Sequence, residues 1–287
     1  MTSGVNPLGI TVGTGCNIRC RHCLVDGNLG CGKISDSEIV RVIAEIRRHQ
    51  PQTLIFTGGE PTLYIKEIDR ILSAIVNEGK KEIKIITNGA FAKSPESAGE
   101  VLASIRGLSG VAMSYDRFHS EFIPATNVHN LAKACRMAGL RFTLMSAVQS
   151  PLDLAFLNSL KLSEVHISIQ KILSIGSAKK NGLRFEYPEF EPAVLGKKCP
   201  NLGGMVFNCG SGFTVCCGFF GSMPSKEKFV HGTISEHLRS RFYKLISKHT
   251  FGELLNLAGI SADKLTPEHS DPCTLCFLAV QGLLKVD

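Results

Sequence analysis

Short apolar runs and amphipathic segments alternate through the first two thirds of the chain, and this alternation constrains the fold more than any other feature. Apolar runs at residues 8–12, 54–56 and 83–86 are too apolar for a sheet with one solvated face, so each predicts a strand covered on both faces. Further strands are predicted at residues 111–114, 141–148 and 165–169. Six strands that alternate with helices predict a parallel α/β fold in which helices cover the strands.

Helix signals separate these strands. Ser35 and Glu38 have the spacing of a capping box, and apolar residues then recur with helical periodicity. A second helical stripe covers residues 65–75, another helix follows Pro95, and a fourth is predicted over residues 126–137. Each segment stands between two predicted strands, as a crossover helix must.

The pattern changes near residue 185. Residues 185–198 contain prolines and acidic residues without periodicity, and residues 203–218 are rich in glycine and cysteine and resemble a hairpin. Two further capping boxes, at residues 233–236 and 250–253, predict short helices. We therefore predict two domains, with boundaries at residues 1–184 and 185–287.

Eleven cysteines in 287 residues need an explanation. The N-terminal sequence MTSGVNPLGITVGTG has neither the basic nor the apolar region of a secretion signal, so we expect a cytoplasmic protein with reduced thiols. No apolar run approaches the ~18 residues of a membrane span, so no membrane partner is expected. The net charge of +7 is scattered and the chain has no tryptophan, which argues against nucleic-acid binding; a basic surface instead favours an acidic protein partner.

Three of the cysteines, Cys16, Cys20 and Cys23, follow the first predicted strand with three and then two residues between them. Three thiolates with a spare coordination position suit a four-iron cluster in which one iron stays open. An open zinc site is the alternative, although catalytic zinc prefers sets rich in histidine.

Polar residues and glycines stand at the carboxyl ends of the predicted strands, where the chemistry of parallel α/β barrels is located. They are Gly58, Gly59, Glu60, Asn88, Ser114, Asp116, Gln149 and Gly176. Each could serve only a turn, a cap or the surface, but their shared placement favours a common site. The Glu60 carboxylate could accept an ammonium group, while Ser114 and Asp116 point to one face of a strand and could bind a diol. A ligand with an amino group and a ribose would fit.

The CxxxCxxC spacing followed by GGEP about 35 residues later resembles the radical S-adenosylmethionine superfamily, and the resemblance covers the first ~180 residues. It implies a partial (β/α)6 barrel of the TIM type. Cys16, Cys20 and Cys23 would hold a [4Fe-4S] cluster whose open iron binds the methionine part of S-adenosylmethionine. We expect S-adenosylmethionine to be bound by His22, Gly58, Gly59, Glu60, Asn88, Ser114, Asp116, Gln149 and Gly176, of which Asn88 and Gln149 are inferred from their strand-end placement. His22 departs from the family, which usually has an aromatic residue there.

A second cysteine set lies after residue 185. Its spacing resembles the Twitch and SPASM extensions of the same superfamily, in which cysteines around a hairpin and a later CxxC surround an auxiliary [4Fe-4S] cluster. The implied ligands are Cys199, Cys217, Cys273 and Cys276, although the spacing leaves Cys216 open in place of Cys217. A structural zinc clip is the alternative. The implied second domain is a small cysteine-rich α+β unit.

The resemblance implies an enzyme that reductively cleaves S-adenosylmethionine to a 5′-deoxyadenosyl radical, which abstracts a hydrogen atom from its substrate. We expect a peptide substrate, an auxiliary cluster that accepts an electron, and a flavodoxin- or ferredoxin-type electron donor. Small-molecule alcohol or aminocyclitol dehydrogenation is one alternative. Epimerisation of a peptide is another, with Cys209 as a catalytic hydrogen donor. A non-catalytic zinc-binding module is the alternative from a different class. His119 could be an acid or base or a hydrogen-bonded loop histidine, Cys31 a loop cysteine and Cys135 a core residue.

Overall fold

Strands and helices alternate regularly in the first part of the chain. The computed structural model describes residues 4–24, 32–216, 218–222 and 226–284. The elements up to residue 180 are β1 (Leu8–Thr11), α1 (Asp36–His49), β2 (Thr53–Thr57), α2 (Ile65–Ala74), β3 (Glu82–Thr87), α3 (Pro95–Ala103), β4 (Leu108–Ser114), α4 (Ala125–Met137), β5 (Arg141–Val148), α5 (Leu154–Ser159), β6 (His166–Lys171) and α6 (Gly176–Lys180).

The six strands lie in the order β6-β5-β4-β3-β2-β1, and every neighbouring pair is parallel. This arrangement confirms the predicted α/β class and partial barrel. Apolar side chains such as Leu8, Ile10 and Leu54 are fully buried, which explains why the strands read as continuous apolar runs. All six carboxyl ends lie on one edge of the sheet, as parallel pairing requires.

The helix signals in the sequence also have structural counterparts. The Ser35 amide donates to Glu38 Oε2 at 2.9 Å, and the Glu38 amide donates to Ser35 Oγ at 3.4 Å, so the predicted capping box starts α1. The second predicted helix, at residues 65–75, is preceded by a 3₁₀ turn at Pro61–Tyr64, which the sequence does not predict. The Glu60 side chain caps this turn.

The second part of the chain contributes both a hairpin and a group of helices. Its elements are β7 (Met205–Asn208), β8 (Gly212–Thr214), α7 (Ile234–Arg239), α8 (Arg241–Lys248), α9 (Phe251–Leu257) and α10 (Pro272–Leu284). The predicted hairpin is present, but β7 also pairs in parallel with β1, in the register Leu8 opposite Met205. This pairing, which the sequence does not predict, satisfies the free backbone groups on the outer edge of β1.

Buried side chains form two main clusters. The larger one fills the space between the helices and the sheet and includes Phe207 and Phe213 of the hairpin. The second lies among α8, α9 and α10 and contains Phe229, Phe242 and Phe251. The predicted domain boundary at residues 184–185 stays a prediction. The hairpin that follows it joins the same sheet as the six barrel strands. Among the described residues, no helix combines the length and apolarity needed to cross a membrane.

Candidate active site

The three cysteines of the first motif lie together on the loop after β1. Cys16, Cys20 and Cys23 are outside any disulfide and of intermediate exposure, and the Cys23 amide donates to the Cys20 carbonyl at 3.2 Å. Burial, and after it the neighbouring Cys23 thiol, raise the pKa of Cys20 well above its usual range. A raised pKa disfavours the thiolate, so an ionised Cys20 needs a cation beside it, and three soft sulfur donors fit an iron–sulfur cluster. The residues present therefore fit the group that the sequence resemblance implies.

Gly58 and Gly59 pack against the start of this loop. The Gly59 amide donates to the Gly13 carbonyl and the Glu60 amide to the Gly15 carbonyl, each at 2.9 Å. A Cβ atom at Gly58 would collide with the Gly13 carbonyl oxygen, and one at Gly59 with that of Gly15. Both glycines line the cavity described below, as predicted, but backbone packing within the protein also requires them.

Tyr64 holds the same loop from the other side, and the sequence analysis missed it. Its hydroxyl accepts from the Gly15 amide at 2.9 Å and donates to the Gly32 carbonyl at 2.7 Å. Gly13 lies directly against the ring, where a Cβ atom would clash. The only sequence feature that could have indicated this contact is an aromatic residue four positions after Glu60.

Glu60 is 1% exposed and is absent from the cavity wall. Its Oε1 accepts from the Thr62 amide at 3.2 Å, the Thr62 hydroxyl at 2.6 Å and the Thr87 hydroxyl at 2.7 Å. Its Oε2 accepts from the Asn88 amide at 2.8 Å. Three of these donors share Oε1 and one uses Oε2, and together they give Glu60 a role in joining the loop after β2 to the end of β3. Its contact with an ammonium group stays a prediction.

Asn88 connects the β3 loop to the cysteine loop. Its Nδ2 lies 3.6 Å from Cys16 Sγ and donates to Asn17 Oδ1 at 2.8 Å. The side chain is buried and lines the cavity. Asn88 is thus placed beside the thiols, as the site prediction requires.

Asp116, at the end of β4, lies between two histidines. Its Oδ2 is 3.3 Å from Nε2 of His22, and its Oδ1 is 3.0 Å from Nδ1 of His119. Burial opposes ionisation of Asp116, but the His119 and His22 rings outweigh it and hold the pKa of this carboxyl well below its usual range. One nitrogen of each ring and Cys20 Sγ lie within 4.8 Å of one another. Ser114, also predicted, lines the cavity on the same strand.

The segment after β6 packs against the cysteine loop. Its Gly176 does not line the cavity, contrary to the prediction. That glycine has φ +56°, and a Cβ atom on it would collide with the Leu24 carbonyl. The Ser177 amide donates to the Cys23 carbonyl at 2.9 Å. Gln149 is also absent from the wall, because its side chain bonds to Arg117 at 2.6 Å and Glu186 at 2.9 Å. The structure therefore does not bring Gly176 and Gln149 to the predicted ligand site.

A cavity of about 1760 Å³ opens at the carboxyl ends of the strands. Its wall contains residues from both cysteine sets and most of the predicted ligand contacts. They are Cys16, Cys20, His22, Cys23, Gly58, Gly59, Asn88, Ser114, Asp116, Cys209, Cys216 and Cys273. Cysteines of both sets thus line the same cavity, although the sequence analysis predicts two separate sites.

The second cysteine set is gathered around α10 and the end of the hairpin. Cys273 and Cys276 are one helical turn apart on α10, and Cys199 and Cys216 pack against the second core. Burial, followed by the Cys216 and Cys199 thiols, raises the pKa of Cys276 well above its ordinary value. Of the two adjacent candidates, Cys216 is placed with the set, whereas Cys217 lies outside the described residues, as does Cys31.

Cys209 differs from its predicted role. It lines the cavity and is buried, but the structure holds it in a disulfide, so it is not the free thiol that a hydrogen donor must be. The role of Cys209 as a catalytic hydrogen donor stays a prediction, and it requires that this disulfide is first reduced. Cys135 is a buried core residue of α4, as predicted.

Comparison with known proteins identifies the first part of the chain. Residues 10–142 match the family model of the Radical SAM superfamily. The chain is 38% identical over 93 residues to 7-carboxy-7-deazaguanine synthase of Bacteroides thetaiotaomicron, which is 32% of this chain and 46% of that enzyme. It is 24% identical over 186 residues to GTP 3′,8-cyclase of Limosilactobacillus fermentum, covering 59% of this chain and 54% of that one. The chain thus spans about half the length of these curated relatives.

Solved structures resemble the whole chain in fold. The tagged enzyme anSMEcpe with bound AdoMet aligns over 98% of both chains with a TM-score of 0.54 and 14% identity. The native form with AdoMet and the Cp18Cys peptide aligns over the same share, with a TM-score of 0.51 and 13% identity. At these identities the likeness concerns the fold.

Proposed function

Because residues 10–142 form a Radical SAM superfamily domain, we propose that this chain cleaves S-adenosylmethionine reductively and uses the resulting 5′-deoxyadenosyl radical to take a hydrogen atom from a substrate. One observation carries the proposal. Cys16, Cys20 and Cys23 are three cysteines on one loop, none of them in a disulfide, and they line the cavity at the carboxyl ends of the strands.

The three thiols would hold a [4Fe-4S] cluster. When bound, it supplies one electron, which splits S-adenosylmethionine into methionine and the radical. The radical becomes 5′-deoxyadenosine when it takes the hydrogen atom, and the substrate is left as a radical. The electron comes from a flavodoxin- or ferredoxin-type donor, whose acidic surface would suit the net charge of +7.

The second cysteine set is proposed to hold an auxiliary [4Fe-4S] cluster with Cys199, Cys216, Cys273 and Cys276 as ligands. We choose Cys216 over Cys217 as the ligand because the thiols of Cys216 and Cys199 both contribute to the raised pKa of Cys276, which places them near that residue. Four thiolates from these residues would leave no coordination position for substrate, and the group that they hold would supply an acceptor for the electron that the substrate radical loses, while the proton would pass to solvent. The substrate is thereby oxidised by two electrons, one taken with the hydrogen atom and one passed to the cluster.

A peptide is the proposed substrate class. The cavity of about 1760 Å³ exceeds the ~300–1,000 Å³ of a single small-molecule site, so a substrate can lie beside S-adenosylmethionine. The solved anSMEcpe structure with AdoMet also contains a peptide. A small-molecule substrate is the alternative, because the curated relatives are named for GTP and a deazaguanine.

Anaerobic incubation with dithionite and S-adenosylmethionine tests the proposal. Wild-type protein should form 5′-deoxyadenosine, and replacement of Cys16, Cys20 and Cys23 by alanine should abolish it while leaving roughly half the iron, since the second cluster remains. Cys135→Ala, which removes a thiol from the core of α4, is the matched control and should retain the activity. Cleavage by the triple variant, or a colourless zinc protein without sulfide, would refute the proposal.

A further inference from the structure

The two outer edges of the eight-stranded sheet differ in length. One edge strand is β8, with three residues, and the other is β6, with six. Among the strands that the structure describes, only β5 pairs with β6. Proteins usually shorten or cover such an edge, because its unpaired backbone groups accept a further strand. The outer side of His166–Lys171, called the β6 edge below, is therefore a place where another chain can add.

The pairing register shows which backbone groups of β6 point outwards. Val148 lies opposite Lys171, and the Ile172 amide donates to the Val148 carbonyl at 3.1 Å. Because the backbone groups of a strand point alternately to either side, those of Ile167, Ile169 and Lys171 point away from β5. Outside the β5–β6 ladder, no backbone hydrogen bond of the described residues reaches them. The β6 edge thus offers three residues with unpaired backbone groups.

The side chains on the outer face of β6 are apolar and uncovered. Ile167 and Ile169 are 39% and 44% exposed, whereas Leu144 and Ser146, opposite them on β5, are 0% and 1% exposed. The helix layer therefore covers β5 and ends before β6. A strand added to this edge would place its own side chains beside the two isoleucines and bury apolar surface in addition to pairing its backbone groups.

The β6 edge leads into the active-site cavity. Gln170 and Lys171, at its carboxyl end, line the cavity wall, and so do Ile172 and Leu173 directly after it. A chain paired along the edge would therefore arrive at the space that the cysteine loop lines. Pairing of this kind recognises an extended backbone, so it suits a peptide and not a small molecule.

The charge around the β6 edge favours one kind of peptide. Residues 161–184 contain five lysine or arginine residues and one glutamate. Lys171 and Lys179 are exposed, and the Lys171 ammonium lies 4.3 Å from the centroid of the Tyr187 ring. These charges favour an acidic segment, and they disfavour a second copy of this chain, whose net charge is +7.

We propose that the β6 edge binds an acidic, extended segment of a peptide substrate as a further strand of the sheet, and that this pairing directs the rest of the peptide into the cavity. The inference rests on the proposed function and on its peptide substrate class. It adds the place where the peptide is recognised, the conformation of the bound segment and its charge.

A methylation scan on the wild-type protein tests the pairing. The probe is a peptide of about ten residues, selected from a random display library against the anaerobically reconstituted protein, and its affinity is measured by fluorescence anisotropy. Each backbone amide of the peptide is then N-methylated in turn. Methylation at every second residue should weaken binding by roughly tenfold or more, and methylation at the residues between them should be tolerated. Added salt should also weaken binding, because exposed charges are screened.

Ile169→Pro tests the same pairing from the side of the protein. Proline removes an amide that points outwards and leaves the ladder with β5 in place, which an edge strand tolerates. We expect this variant to bind the peptide roughly tenfold more weakly, and Ile169→Ala, which keeps the amide, to lose less. Leu152→Ala removes an apolar side chain that is 84% exposed but lies outside the strand, and as the control it should bind like wild type. Iron content and thermal midpoint are recorded for each variant.

The inference is overturned if the library yields no binder, if the methylation scan lacks a period of two, or if Ile169→Pro binds the peptide as wild type does. It is also overturned if wild type is a dimer that Ile169→Pro converts to a monomer, because a second copy would then occupy the edge. In each case the proposed function stands, provided that wild type forms 5′-deoxyadenosine without peptide. If wild type forms none, the proposed function fails, and the inference of a substrate site fails with it.

Discussion

At the scale of single residues, Glu60 shows how a motif can predict a position correctly and still leave its role undecided. The sequence places a carboxylate after two glycines at a strand end, and the structure puts it there. No local pattern reveals, however, that Thr62, Thr87 and Asn88 supply four donors to it. Two of those residues lie at the end of β3 and directly after it, so the network depends on tertiary structure.

Glu60→Gln should destabilise the fold by about 1.5–3 kcal/mol, because the amide group places donors against donors in a buried network. Binding of S-adenosylmethionine and of its analogue without the amino group should weaken by the same factor. Urea unfolding and calorimetry measure the two effects. Glu67→Gln, in a buried glutamate of α2 that pairs with Lys33 at 3.1 Å, is the control for loss of a buried charge. Selective weakening of the natural ligand would instead support a direct contact between Glu60 and the ammonium group.

At the scale of elements, the sequence predicts best where periodicity is long. The strand predicted at residues 141–148 matches β5, and the helix predicted at 126–137 begins one residue earlier. The short helices α5 and α6 were missed, since each is too short to show a helical period. The parallel pairing of β7 with β1 also has no local signal, because it joins residues about 200 positions apart.

His237 on α7 predicts a dependence of stability on pH. Its Nε2 accepts from the Val215 amide at 3.1 Å, directly after β8, and the side chain is fully buried. Burial, and then the neighbouring His231, lower the pKa of His237 to about 3. An unfolded chain binds this proton near pH 6.5, so the contribution is complete above that pH and is lost as the pH falls towards 3.

Between pH 7 and pH 5, His237 should reduce the free energy of unfolding by about 2 kcal/mol. His237→Gln can keep an acceptor for Val215 but does not titrate, so the difference in stability between wild type and variant should shrink by this amount. Urea denaturation at both values of pH measures it, and losses shared by both proteins cancel. A difference that stays constant with pH would show that the folded ring takes up its proton over the same pH range as the unfolded chain.

At the scale of the whole molecule, the main result is that two cysteine sets meet at one cavity. Motif spacing alone suffices to find Cys16, Cys20 and Cys23, and strand-end reasoning finds Asn88, Ser114 and Asp116. The shared cavity could not be predicted, because it depends on the β7–β8 hairpin joining the outer edge of β1. That pairing carries Cys209 and Cys216 to the wall that Cys16 also lines.

A shared cavity makes a specific prediction for the auxiliary cluster. Replacing Cys273 and Cys276 by serine removes two thiolates of the proposed four, but leaves the loop after β1 untouched. The double variant should therefore still convert S-adenosylmethionine to 5′-deoxyadenosine while forming no oxidised product, and its iron content should fall by roughly half. Cys135→Ala again serves as the control, with full iron and full product.

Spectroscopy of the intact protein supplies the opposing outcome. In a cluster with four thiolates, the substrate can change the potential through burial or through hydrogen bonds to the sulfurs, but it cannot become a ligand. Electron paramagnetic resonance of the reduced auxiliary cluster should thus show the same ligand set with and without substrate. The appearance of a new ligand when substrate is added would mean that one iron was open. The set Cys199, Cys216, Cys273 and Cys276 would then be wrong, and the cluster would anchor the substrate instead of taking its electron.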